Sequence, residues 1–176
     1  MNDPGFPSQH TTTTTTTTVQ TNIRFDPTYI KTIPGMLKIA EVVLNLLGFI
    51  CIEASGVYSH ASRGSWFNFV SMTAFWFTGI LLALYLFHVI EVSYKIPWLK
   101  IEFVFCALWT LFYLIAASLA VSFNHEAYSA AGFFGFCGMV AYGFDAFLKF
   151  KSVKEGQLAQ GERVVNKETT TVTTAY

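Results

Sequence analysis

The chain of 176 residues is 53% hydrophobic and 17% aromatic but only 12% charged, and its acids and bases cancel to a formal net charge of zero. Soluble domains carry about a quarter charged residues, so the composition excludes a disordered polyelectrolyte, a coiled coil and an ordinary water-soluble enzyme. Without an overall basic field, nucleic acid is excluded as a partner.

Residues 1–24 are polar and include an unbroken Thr11–Thr18 run. So little apolar surface cannot offset the entropy of ordering, which predicts a disordered arm. No signal-peptide pattern precedes the first apolar segment, which then serves as its own insertion signal. Phe25, Tyr29 and Ile30 read as an interfacial lead-in. Four apolar segments follow, at about 36–58, 66–90, 97–123 and 128–150, each between 23 and 27 residues long. A helix rises about 1.5 Å per residue and about 20 residues cross the hydrocarbon core. Backbone groups in lipid must be bonded within their own segment, so each segment is predicted to be a helix. A soluble bundle would carry a charged outer face, whereas no acid or base lies between Trp66 and Phe87. The joints are short, which predicts antiparallel neighbours and an all-α, four-transmembrane-helix up-down bundle. Pro97 suits a first helical turn. Trp66, Trp98, Tyr58, Tyr94 and Tyr128 fall near span ends, where aromatic belts sit. Residues 153–176 form a second polar tail. Its terminal Thr174-Ala175-Tyr176 is a candidate for strand addition to a PDZ groove, although Tyr is not favoured at that end.

Ten of the eleven Lys and Arg residues fall on one side of this arrangement, leaving Arg63 alone on the other. Cytoplasmic loops carry the positive excess, so both termini are expected in the cytoplasm. Arg24, Lys31, Lys38, Lys151 and Lys154 are then candidate contacts for anionic lipid headgroups. The opposite surface consists of two small loops, too little for a ligand-binding ectodomain. Cys51, Cys106 and Cys137 all lie within spans, so no external disulfide is expected. Cys106, near the inner boundary, is a weak candidate for palmitoylation.

Ionisable residues within spans are the default functional candidates. They are Lys38, Glu41, Glu53, His88, Glu102, Asp145 and Lys149, with the uncharged Asn45 beside them. Alternating helix directions place all of them except Glu53 near one membrane face. Lys38 and Glu41 are three apart and Asp145 and Lys149 four apart, so each pair shares a helix face and predicts neutralisation along that helix. Small residues Gly48, Gly135 and Gly138 predict that the first and fourth helices pack closely, or that one face docks another span. No catalytic or cofactor motif is present, and Cys106 with His88 is the only conceivable nucleophile–base pair. No metal or cofactor is expected.

Two stretches carry a resemblance. Phe25-Asp-Pro-Thr-Tyr-Ile-Lys-Thr-Ile-Pro-Gly-Met-Leu-Lys-Ile-Ala-Glu41 leads into the first span, and Ala141-Tyr-Gly-Phe-Asp-Ala-Phe147 lies late in the fourth. Over residues 25–152 the chain resembles MARVEL-domain tetraspan proteins, most of all the chemokine-like-factor MARVEL transmembrane family. The resemblance implies a non-enzymatic membrane organiser at the plasma membrane or in endosomal and secretory vesicles. Such proteins act in vesicle traffic, membrane apposition or junctions, or escort other membrane proteins. The implied partners are lipids, other membrane proteins or a second copy. The competing expectation is an ion or proton-coupled channel or transporter using Glu41, Asn45, Glu102 and Asp145.

Overall fold

A computed structural model of the chain describes residues 10–18, 25–93, 95–160 and 164–172. It divides into two units, one spanning Thr21–Gln160 and one formed from the two ends of the chain.

In the first unit a short 3-10 turn, Pro27–Lys31, leads into helix α1, Ile33–Glu53. The carboxylate of Asp26 accepts from the Thr28 amide at 2.9 Å. The Thr32 hydroxyl donates to the Tyr29 carbonyl at 2.7 Å and accepts from the Gly35 amide at 3.2 Å, capping α1. These caps lie upstream of the apolar run, so α1 begins three residues before the predicted Met36. It also ends five residues before Tyr58, because Gly56 adopts a left-handed φ of 64° and Gly56–His60 tightens into a 3-10 turn. Helix α2 is Ser62–Leu86. It stops short of the predicted Ile90 because His88 is left-handed, with φ 55°, and the chain restarts as the one-turn α3, Val89–Val92. Helix α4 is Trp98–Val121 and α5 is Glu126–Lys154. Lys151 and Lys154 close α5, where the helix dipole favours cations.

The four long helices are each long and apolar enough to cross a membrane. The pairs α1–α2, α2–α4, α4–α5 and α5–α1 all pack, closing the four into a ring. Between 33% and 39% of each spanning window is buried inside the bundle. The remaining face of each carries residues such as Leu46, Trp76, Val104, Leu111, Phe133 and Val140 to the outside.

Away from the Lys-rich end the interior is apolar and rich in small residues. Ala74, Ala116, Ala120 and Ala131 surround Ile52, Phe67 and Val70. Close approach needs small side chains, because lipid tails give apolar helices no hydrophobic reason to associate. The predicted pairing of the first and fourth helices is observed as α1–α5 packing. A Cβ on Gly48 would stand 2.9 Å from the Phe67 ring, and one on Gly135 would stand 3.0 Å from both Phe67 and Ala117. A Cβ on Gly138 would meet the Tyr113 ring at 3.6 Å. They make room for the Phe67 ring of α2, for α4 and, at Gly48, for Phe134 of α5.

In the second unit β1, His10–Thr18, pairs antiparallel with β2, Val164–Val172. The ladder joins part of the threonine-rich arm to part of the C-terminal tail. Threonine and valine are β-branched and favour extended backbone, a preference that a reading by low hydrophobicity overlooks. A ribbon of two strands is marginal without a third layer.

Gly135→Val, whose added atoms meet Phe67 and Ala117, is expected to destabilise the purified protein by about 1–3 kcal/mol. Gly79→Ala, with nothing within 4 Å of its Cβ, is expected to change stability by less than about 0.5 kcal/mol. Thermal unfolding in detergent compares the two.

Candidate functional site: a cage of buried charges

Five of the predicted intramembrane residues meet inside the bundle. Lys38 and Glu41 come from α1, Glu102 from α4, and Asp145 and Lys149 from α5, and none is more than 5% exposed. Lys149 Nζ lies 2.6 Å from Glu102 Oε2. Lys38 Nζ lies 3.4 Å from the same oxygen and 3.5 Å from Asp145 Oδ2. Helix α2 adds no charge but lays the Tyr85 ring against both cations, 5.7 Å from Lys38 Nζ and 5.1 Å from Lys149 Nζ. An ammonium near a ring face is attracted by its quadrupole. Lys149 also donates to the Tyr85 hydroxyl at 3.4 Å. Tyr29, outside the spans, stacks on Tyr85 with centroids 4.7 Å apart and covers the cage, and burial pushes its phenol above the ordinary value.

Two expectations are corrected here. Neutralisation along single helices, Lys38 with Glu41 and Asp145 with Lys149, is replaced by ion pairs that cross between helices among the described residues. Side chains turned inward reach the facing helix, and there the attraction acts in low dielectric. Lys38 is not a headgroup contact, because it is buried and held inside by Glu102 and Asp145. Lys31, Lys151 and Lys154 are exposed. Arg24 and the terminal Thr174–Tyr176 lie outside the described residues.

Above the ions is a neutral layer with one member from each long helix. Asn45 Nδ2 donates to the Tyr142 hydroxyl at 2.9 Å, and the Tyr113 hydroxyl donates to Asn45 Oδ1. Thr78 Oγ1 and the Tyr142 hydroxyl are 2.9 Å apart. Trp109 Nε1 then donates to the Val70 carbonyl at 2.9 Å, and the small-residue core follows. Thr110 and Ser118 each donate at 2.7 Å to the carbonyl four residues earlier on their own helix, which is the usual way a helix satisfies such hydroxyls.

The remaining candidates sit elsewhere. Cys106 Sγ turns inward and donates to Asp145 Oδ2 at 3.3 Å, so its thiol is not presented for palmitoylation. His88 Nε2 lies 3.9 Å from Asp26 and 4.0 Å from Glu91, outside the cage. Glu53 accepts from Asn68 Nδ2 at 2.6 Å at the opposite end.

The tyrosines of the network count as aromatic in the sequence, and their hydroxyls are what join the polar layer. A usable signal existed: Glu102, Cys106, Trp109 and Tyr113 recur at helical spacing, as do Tyr142, Asp145 and Lys149, so each set forms one stripe.

Because Glu102 holds both lysines, Glu102→Gln is expected to cost about 3–5 kcal/mol, the loss usual when one partner of a buried ion pair is removed. Glu53→Gln is expected to cost less than about 1 kcal/mol. Unfolding midpoints of the two purified variants test this.

The model of the MARVEL family, described as a membrane-associating domain, matches residues 29–148. The chain is 30% identical over 145 residues to plasmolipin of Danio rerio, covering 79% of this chain and 83% of that protein. It is 29% identical over 140 residues to plasmolipin of Rattus norvegicus, covering 74% and 76%. With CKLF-like MARVEL transmembrane domain-containing protein 8 of Homo sapiens it shares 26% identity over 165 residues, covering 85% and 95%. No solved structure matches. The four spanning helices and the family match agree, and the chain is a multi-pass integral membrane protein belonging to the MARVEL family.

Proposed function

We propose that this protein is a non-enzymatic organiser of the bilayer, acting by lateral association with lipids or membrane proteins in vesicle traffic, membrane apposition, junction assembly or escort. The observation that carries this reading is the direction of its side chains. The intramembrane charges turn inward and hold one another, while the lipid-facing surface is apolar and aromatic. Contacts available to that surface are made sideways, within the membrane plane. Both termini belong in the cytoplasm in this reading, on the ground of ten Lys and Arg against one.

A groove gives lateral association a specific form. Phe77 of α2 and Ile101, Val104, Phe105 and Leu108 of α4 wall an open space of about 440 Å³, with exposed Lys100 at its rim. Leu108 lies about 12 Å along α4 from Lys100 at helical rise, within the roughly 15 Å depth of one leaflet's hydrocarbon. An apolar slot ending at an ammonium suits one acyl chain of an anionic phospholipid, with its phosphate at Lys100.

The second reading, transport, draws on the charged and hydrogen-bonded layers. Against it, the polar network gives way to Phe67, Ile52 and the alanine-lined core before the other face. Conduction wants polar groups through the midplane.

Full-length protein purified in mild detergent after mixing with phosphatidylserine and phosphatidylcholine is expected to retain phosphatidylserine, as read by native mass spectrometry. Lys100→Gln is expected to abolish the preference for phosphatidylserine. A stoichiometric membrane-protein partner on gentle purification equally supports the organiser reading. Proteoliposome flux of ions or protons that Asp145→Asn abolishes, with insertion intact, overturns it in favour of transport.

A further inference from the structure

The charges of the cage do not balance. Three carboxyl groups, Glu41, Glu102 and Asp145, face two ammonium groups, Lys38 and Lys149. Glu102 is met by both lysines, and Asp145 by Lys38 at 3.5 Å. Among the described residues, Glu41 has no cation within ion-pair distance. Its Oε1 is buried without a hydrogen-bond partner, and so is Asp145 Oδ1. Carboxylate oxygens of Glu41 and Asp145 and the Cys106 sulfur lie within 4.8 Å of one another. A second carboxylate that close, buried and with no cation of its own among the described residues, is strongly disfavoured in the ionised state.

The titratable groups of the cage that holds Glu41 come from every long helix and from the turn before α1. Helix α1 supplies Lys38, the turn supplies Tyr29, and α2 supplies Tyr85, which lies against Lys38 and Lys149 rather than Glu41. Helix α4 supplies Glu102, Cys106 and Tyr113, and α5 supplies Asp145, Lys149 and Tyr142. The two cations are already engaged with Glu102 and Asp145, so the missing positive charge must be added from outside this set.

We infer that the corner formed by Glu41, Asp145 and Cys106 is a binding site for a single proton, held on the Glu41 carboxyl at neutral pH and facing Asp145. The proton comes from water and adds to the Glu41 carboxylate, so one O–H bond forms and the cage becomes electrically neutral. A metal ion fits the corner poorly. Cys106 keeps its own hydrogen, which it donates to Asp145, whereas a metal would need the thiolate. The Lys38 ammonium, 3.5 Å from Asp145 Oδ2, repels a second cation there. A proton needs no shell and no vacant volume. This inference rests on the cage alone and stands whether the protein organises membranes or transports.

The test is infrared spectroscopy of the full-length protein in phosphatidylcholine vesicles at neutral pH. One carbonyl-stretch band of a protonated carboxyl is expected, moved to lower frequency in heavy water and moved again by carbon-13 labelling of glutamate. The band is expected to vanish in Glu41→Gln and to persist in Glu53→Gln. The labelled wild-type protein reads the proton even if Glu41→Gln does not fold. A wild-type spectrum without this band, or a band insensitive to glutamate labelling, overturns the inference. So does elemental analysis that finds a stoichiometric metal in the wild-type protein, bound in place of the proton.

Discussion

Hydrocarbon cannot solvate a charge, and the structure of this protein follows from that constraint. Five ionisable side chains enter the membrane on three helices, and each would be costly on its own. They are tolerable because they meet. Glu102 of α4 receives Lys149 of α5 and Lys38 of α1, and Lys38 also reaches Asp145. These contacts need α1, α4 and α5 at fixed spacing and rotation, so the penalty for exposing charge becomes a specification of how the helices assemble. Buried ion pairs are poor evidence of net stability, but breaking one leaves an uncompensated charge. The cage therefore excludes other arrangements of the bundle more than it strengthens this one.

Packing then changes character along the helix axes. Next to the ions, Asn45, Thr78, Tyr113 and Tyr142 form a neutral hydrogen-bonded layer in which every long helix takes part. Beyond it, alanines and glycines bring backbones close around Phe67. In a bilayer, packing and interhelical hydrogen bonds replace the hydrophobic effect as the reason helices associate. With polarity spent inside, the outer surface is left for lipids and for the spans of other proteins. The sealing of the core around Phe67 and the exposure of the apolar faces have the same origin.

The sequence made some of this legible and hid the rest for identifiable reasons. Span number and approximate position followed from the apolar runs, since length and hydropathy are local properties. Boundaries moved where local chemistry decided them: Thr32 capped α1 upstream of its apolar run, and the left-handed His88 broke a run that hydropathy reads as continuous. The stripe of Lys38, Glu41, Asn45 and Gly48 was readable as one face of a helix. Its partners were not, because spacing identifies a face and not what lies opposite. That is why pairing along single helices was expected and pairing across helices is observed, and why Lys38 was assigned to headgroups. The pairing of the threonine run with Val164–Val172 joins segments about 150 residues apart, which composition alone does not reveal.

A double-mutant cycle on Glu102 and Lys149 addresses the central claim most directly, with unfolding free energies measured for Glu102→Gln, Lys149→Met and the pair in one detergent. If ions crossing from α4 to α5 fix the bundle, the double variant is less damaged than the sum of the singles, with a coupling of about 0.5–3 kcal/mol. Additive losses, or single variants as stable as the wild-type protein, would contradict the account.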